Sequence, residues 1–268
     1  MAFIANFTIK VGNMDIVWFK LLSVVFIIIA GVTGGIIPIG GSIGKNSTRL
    51  TFGNAFAGGV FLGAGFMHML PDAQSNFSSL NLSFDFPYAP FIAGLGFIFI
   101  LVLDRVITGK ESSEIIAENK DKFPFILFLV LAVHSIIAGL SLGLESTILS
   151  GLVIFIAIIA HKGSASFALG VNLVKSNIHK RQMIKTIVFF SIMTPLGIIL
   201  GTILNHIETN RVSIWFEAIF DSLAAGTFLY IAILEIIDEV FSHTKLRFQN
   251  LGFLLVGFLL MAFIAIYA

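Results

Sequence analysis

Two histidines stand inside long apolar segments that resemble one another. His134 opens "HSIIAGLSLG" (134–143) and His161 opens "HKGSASFALG" (161–170), and the two segments align without a gap at an offset of 27 residues. Imidazole nitrogens are good ligands for borderline metals such as Zn²⁺ or Fe²⁺. We interpret the two histidines as halves of one metal site. The alternative is that each imidazole only bonds a helix carbonyl or a serine in a packed bundle.

The composition predicts that these segments lie in a membrane. The chain has 268 residues, of which 57% are hydrophobic and 12% charged, and its mean hydropathy is +1.01. A helical span needs roughly 20 mostly apolar residues. Runs of this kind cover about 16–38, 51–71, 89–107, 124–145, 150–172, 184–206, 213–237 and 248–267. The chain lacks cysteine, which excludes thiolate metal sites, and its net charge of +1 gives no indication of nucleic-acid binding.

The distribution of basic residues predicts the orientation. Twelve lysines and arginines follow the first, third, fifth and seventh spans, whereas three lie on the opposite side. Basic residues accumulate in cytoplasmic loops, so we expect both termini to be non-cytoplasmic. We expect the plasma membrane as the location, with an organelle membrane as the alternative.

Among the residues of the apolar segments, Lys162 should have the largest free-energy cost of insertion into the bilayer. An ammonium near the centre of a bilayer costs roughly 2.5–3.5 kcal/mol on insertion scales, so Lys162 must face a partner or water. Asp221 is the carboxylate at a matching depth in the seventh span. One interpretation is that the ammonium occupies a position where a second cation would bind. The other is a structural pair between Lys162 and Asp221.

Polar residues also mark two ends of a pathway. His68 and Asp72, in "HMLPD", lie at the outer end of the second span and predict an entrance. Glu235, Asp238 and Glu239, in "EIIDE", lie at the inner end of the seventh span and predict an exit. For the carboxylates Asp72, Asp238 and Glu239, a solvated helix end is the alternative.

The second and seventh spans repeat one another. "NAFAGGVFLGAGFMHMLPD" (54–72) aligns with "DSLAAGTFLYIAILEIIDE" (221–239) at an offset of 167 residues. Because the predicted topology makes these spans antiparallel, they fit an inverted repeat of the kind found in secondary transporters. We therefore predict an all-α integral membrane protein with eight transmembrane helices in a 3+2+3 inverted-repeat bundle.

Five motifs give the chain a specific resemblance to a family. They are "FAGGVFLGAGFMHMLPDA", "HSIIAGLSLGLE", "HKGSASFALG", "MTPLGIILG" and "AAGTFLYIAILE", in this order. With them the chain resembles the ZIP (Zrt-, Irt-like) metal transporters, in particular the branch with HS in the fourth span and HK in the fifth. The resemblance implies one domain over 1–268 and a transporter, not an enzyme. It would carry Zn²⁺, with Fe²⁺ and Mn²⁺ as alternatives, from outside or from an organelle lumen into the cytosol.

The same resemblance assigns the site residues. It puts the midpoint ligands at His134, Ser135 and His161, with no prosthetic group. Lys162 falls where binuclear members carry a second-site ligand, which implies a site for a single metal ion.

The chain departs from the family pattern at two positions. Many members carry a carboxylate four residues after each central histidine, and here Ala138 and Ala165 stand there. Two histidines and a hydroxyl leave a tetrahedral shell incomplete, so water or Asp221 must supply the rest.

A receptor or sensor that binds metal without moving it is the alternative function. The expected partners are a divalent metal ion and the lipid bilayer, without nucleic acid, and a homodimer is a candidate assembly.

Overall fold

The computed structural model describes residues 16–40, 48–107, 122–176, 178–204, 210–242 and 246–266. Within these ranges the chain forms eight long helices and no strand, and all eight are long and apolar enough to cross a membrane. The helices are Ile16–Gly40 (α1), Thr48–Ser79 (α2), Tyr88–Leu101 with its continuation to Ile107 (α3), Lys122–Leu144 (α4), Ile148–Lys175 (α5), Lys180–Leu204 (α6), Asn210–Tyr230 with its continuation to Ser242 (α7) and Arg247–Ala265 (α8).

This architecture confirms the prediction of an all-α protein with eight membrane-spanning helices. Two helices extend well beyond the predicted spans: α2 ends at Ser79 and α7 at Ser242. Their last turns are polar, as in "PDAQSNFSS" of α2, so a search for apolar runs ends too early. The two chain termini, for which the sequence analysis predicts a non-cytoplasmic location, lie outside the described residues. The same is true of the basic residues Lys10, Lys45, Lys110, Lys120 and Lys245.

Helices α2 and α7 each contain a π-helical segment. In α2 it covers Gly65–Met69, and in α7 it covers Ile231–Ile237. Such segments are often found at functional sites, because they locally change the direction in which side chains point. His68 lies in the first and Glu235 in the second. The sequence analysis did not predict either one.

The eight helices pack as two groups of four. Helices α1, α4, α5 and α6 pack on one another, and α2, α3, α7 and α8 form the second group. The seam between the groups is made chiefly by α5 against α2 and by α4 against α7. Because His134 lies on α4 and His161 on α5, both histidines belong to the first group and face this seam.

Two glycines allow the backbones of the second group to approach closely. A Cβ on Gly59 of α2 would collide with the carbonyl oxygen of Leu254 on α8. A Cβ on Gly226 of α7 would likewise collide with the carbonyl oxygen of Ala93 on α3. Small residues permit such approaches in membranes. Gly59 and Gly226 are paired by the 167-residue offset, which supports the inverted repeat; the repeat itself stays a prediction.

Candidate metal site

The two central histidines meet across α4 and α5. The Nε2 atoms of His134 and His161 lie 3.5 Å apart, and both side chains are buried. Two nitrogen ligands at 2.0–2.1 Å from a tetrahedral Zn²⁺ are roughly 3.3–3.4 Å apart. The two imidazoles are therefore spaced so that one ion can bind both with only a small adjustment.

An aromatic side chain of α7 fixes both imidazole rings. The ring centroid of Phe228 lies 4.7 Å from that of His134 and 6.4 Å from that of His161, with edge-to-face geometry in both cases. Phe228 is fully buried. Edge-to-face contacts of this kind are favourable for aromatic rings, so Phe228 restricts the orientation of the two imidazole rings. The sequence analysis missed this residue, since one phenylalanine among 29 gives no signal.

Lys162 and Ser135, which follow the two histidines, also contact each other. The Lys162 ammonium donates to the Oγ of Ser135 at 2.9 Å and to the carbonyl oxygen of Phe190 at 3.0 Å. Its Nζ lies 3.6 Å from the centroid of the Phe190 ring, a cation–π contact. In the part of the chain that the structure describes, these groups and not Asp221 surround the ammonium. The alternative of a Lys162–Asp221 pair is therefore wrong.

Asp221 instead lies on the wall of a cavity of about 220 Å³. Asp72 and His134 both line the cavity, and Glu217 shares its wall with Asp221. Two carboxyl groups from α7 and one from α2 thus line the route toward the central pair with oxygen atoms. This end of the protein is called the Asp72 end below.

His68 connects the rim of the cavity with its deep end. Its Nδ1 lies 2.8 Å from the Oδ2 of Asp72, one helical turn away, as an ion-pair contact. Its ring centroid is 6.0 Å from that of His161. The structure therefore places His68 beside the central pair and Asp72 at the rim, whereas the sequence analysis grouped both as the entrance.

Glu217 is a cavity residue that the sequence analysis missed. It precedes Asp221 by four residues, so both carboxylates lie on one face of α7. That spacing is a signal that could have identified Glu217.

The predicted exit residues lie at the opposite end, here called the Glu239 end. Glu239 forms an ion pair with Lys175, which joins α7 to the last turn of α5. Asp238 is exposed, and Glu235 is half-buried in the π-helical segment. The residues lining the cavity all lie at the Asp72 end or at the central pair. The cavity therefore does not reach the residues of the predicted exit.

The protein ligands of the central site are few. Among the described residues, no group of three or more histidines, aspartates or glutamates is arranged to hold a metal ion. Ala138, one turn after His134, lines the cavity. Ala165, one turn after His161, is buried in the main hydrophobic core. The two alanines therefore differ in environment although they occupy equivalent positions in the sequence.

The chain is similar to known proteins over most of its length. The family model described as ZIP Zinc transporter matches residues 17–124 and 121–265. The "Zinc transporter ZIP1" of Danio rerio is 30% identical over 253 residues, which cover 80% of this chain and 83% of that protein. The "Zinc transporter ZIP2" of Homo sapiens is 27% identical, with 78% of this chain and 83% of that protein covered.

A plant protein matches over a still larger share of the chain. The "Zinc transporter 3" of Arabidopsis thaliana is 26% identical over 288 residues, covering 93% of this chain and 85% of that protein. Together with the eight membrane-spanning helices and the paired imidazoles, these matches show that the chain belongs to the ZIP zinc transporter family.

Proposed function

We propose that the protein carries Zn²⁺ across a membrane and binds one ion at a time between His134 and His161. The observation that carries this proposal is the 3.5 Å separation of their Nε2 atoms at the deep end of a cavity. Zn²⁺ fits two imidazoles, and its tetrahedral shell can take water in the remaining positions. Fe²⁺ and Mn²⁺ are alternative substrates; Mn²⁺ is the weaker candidate, since it prefers oxygen ligands.

The cavity supplies a physical reason for capture. Asp72, Glu217 and Asp221 line it with carboxyl oxygens that a cation can contact, while His68 leads from the rim to the central pair. Charged walls in a confined cleft raise the local concentration of an oppositely charged ligand. Asp221 is also available as an additional ligand from the cavity wall.

Lys162 limits the occupancy of the site. Its ammonium is held against Ser135 and Phe190, next to the central pair. A fixed positive charge disfavours a second cation nearby. We therefore infer a site for a single ion that is held loosely enough to leave, and Ser135 is a weaker candidate ligand because its Oγ already accepts from Lys162.

The direction of transport follows from the orientation that the basic residues predict. With both termini non-cytoplasmic, the Asp72 end faces the outside or an organelle lumen and the Glu239 end faces the cytosol. Metal would enter past Asp72 and leave past Glu235, Asp238 and Glu239, where the Lys175–Glu239 ion pair must open. The protein performs no chemical reaction in this scheme.

Uptake of radiolabelled zinc into proteoliposomes tests the proposal. The wild type should accumulate zinc, and His134→Ala and His161→Ala should each lose most of the uptake. Phe248→Ala, at an exposed position on α8, is the control and should transport normally. Zinc bound by the purified protein but never accumulated would favour the receptor or sensor instead. Competition by iron and manganese in the same assay ranks the alternative substrates.

A further inference from the structure

A second, larger cavity lies on the other side of the seam between the helix groups. It has a volume of about 690 Å³ and is lined by α1, α2, α5 and α8. We call it the lateral groove, and its wall includes Gly34, Arg49, Phe52, Gly163, Phe167 and Val256. This volume is within the range of roughly 300–1,000 Å³ that is usual for sites binding small molecules.

The lateral groove is apolar over almost its whole length and is open to the surroundings. Its polar side chains are Arg49 and Ser164, and the latter is buried. Two wall residues, Ile37 and Val256, are 57% and 58% exposed. In a chain whose helices cross a membrane, exposed apolar side chains at this depth face lipid. The groove therefore opens into the hydrocarbon of the bilayer.

The length of the groove corresponds to one leaflet. It follows α2 from Arg49, in the first turn, to Ala57, and it reaches α5 at Ala160 and Gly163, on either side of His161. Eight residues of helix rise roughly 12 Å, which is close to half of a hydrocarbon core about 30 Å thick. The groove thus runs from the membrane surface at the Glu239 end to the level of the central histidines.

Arg49 gives this groove a charged rim. The residue is exposed at the surface end, where a lipid headgroup would lie. A guanidinium binds phosphate through two parallel hydrogen bonds, and the apolar wall below it matches an acyl chain. We propose that the lateral groove binds one anionic phospholipid, with its phosphate on Arg49 and an acyl chain between the two helix groups.

Lipid retention by the purified full chain tests this proposal without measuring transport. The protein is reconstituted with equal amounts of phosphatidylglycerol and phosphatidylcholine of identical acyl chains, and the lipid retained after extraction is counted by native mass spectrometry. We expect a preference of roughly fivefold for the anionic lipid, the order expected of one arginine at a headgroup.

Two variants and two matched controls locate the site. Arg49→Gln should remove the preference, whereas Arg247→Gln, an exposed arginine at the start of α8 that does not line the groove, should keep it. Val256→Trp fills the groove and should lower retention of the lipid. Leu259→Trp, at a 60% exposed position on the same helix but outside the groove, should not.

Equal retention of the two lipids by the wild type would overturn the proposal, as would a preference that survives both Arg49→Gln and Val256→Trp. Crosslinking of Val256→Cys to a second copy of the chain would also overturn it, because the groove would then be a dimer interface. The thermal stability of each variant shows whether a loss of retention is due to unfolding.

Discussion

Lys162 and Ser135 form a buried hydrogen bond of 2.9 Å directly beside the Nε2 contact of His134 and His161. Each of the two contacts joins α4 to α5, and in each the partners are 27 residues apart. One contact brings two imidazole nitrogens together, which can act as metal ligands, and the other holds an ammonium group, which repels cations. The adjoining positions of the two helices therefore have opposite effects on a cation.

The charge of Lys162 should lower the affinity of the neighbouring histidines for metal. Lys162→Met removes the charge and retains much of the side-chain volume. Because a partly screened repulsion between two positive charges is lost, the affinity for zinc should rise on the order of tenfold. The ratio of zinc to protein should stay at one, because methionine is a poor ligand for zinc. Equilibrium dialysis with zinc measures both quantities.

Lys20 provides the control for this substitution. It is also a buried lysine, and its ammonium donates to the carbonyl oxygen of Gly143 at 2.6 Å near the end of α4. Lys20→Met should lower the stability of the protein and leave zinc affinity unchanged. If Lys162→Met bound zinc no more tightly than the wild type, the Lys162 ammonium would have a structural role only.

His134 and His161 should behave as one unit. If both bind the same ion, the loss of either removes most of the affinity, and the double variant is little worse than each single one. Residues in contact show coupling free energies of 0.5–3 kcal/mol, and we expect roughly 2–3 kcal/mol for this pair. Zinc titrations of the wild type, both single variants and the double variant give the coupling. Additive losses would assign the two imidazoles to separate roles.

The proposed orientation can be tested with introduced cysteines, since the chain has none. Ser83, in the loop after α2, and His179, just before α6, are exposed at opposite ends. On intact cells a membrane-impermeant maleimide should label Ser83→Cys but not His179→Cys, if the protein is in the plasma membrane. In permeabilised cells the maleimide should label both cysteine variants. Labelling of His179→Cys alone on intact cells would reverse the proposed direction of transport.

The sequence predicted the parts of the structure that depend on the cost of polar groups in hydrocarbon. An imidazole or an ammonium in an apolar helix must find a partner, and this is why His134, His161 and Lys162 could be identified. The partner of Lys162 could not be predicted, because the carbonyl oxygen of Phe190 belongs to the backbone and any residue type supplies it. The orientation of Asp221 toward the cavity depends on the rotation of α7, which its sequence leaves open.

The π-helical segments could not be predicted from the sequence either. Gly65–Met69 and Ile231–Ile237 have no proline, and their apolar character suits a regular α-helix equally well. The closeness of His68 to the central pair, with its ring centroid 6.0 Å from that of His161, could therefore not be predicted.

Close backbone contact makes Gly226 intolerant of a side chain. A Cβ there would collide with the carbonyl oxygen of Ala93, whereas a Cβ on Gly94 would have no atom within 4 Å. Gly226→Ala should lower the free energy of unfolding by about 1–3 kcal/mol, as overpacking does, and Gly94→Ala should be neutral or stabilising. Denaturation of the two detergent-solubilised variants measures the difference. Equal free energies of unfolding for the two variants would mean that α3 and α7 can move apart enough to accommodate the added methyl group.

Ala138 and Ala165 give the sharpest test of where the metal binds. Both are four residues after a central histidine, but Ala138 lines the cavity and Ala165 lies in the hydrophobic core. Ala138→Glu should place a carboxylate beside His134 in a site open to water. Zinc binding should tighten on the order of tenfold, or about 1.4 kcal/mol, and zinc release should slow.

Ala165→Glu is the matched substitution with the opposite expected outcome. It buries a carboxylate among apolar side chains, where an uncompensated charge is strongly unfavourable. The variant should therefore lose stability without a gain in affinity, unless bound zinc compensates the charge. Zinc titration and thermal denaturation of both variants, with and without zinc, separate these effects. A gain in affinity for Ala165→Glu but not for Ala138→Glu would place the ion on the Glu239 side of the central histidines.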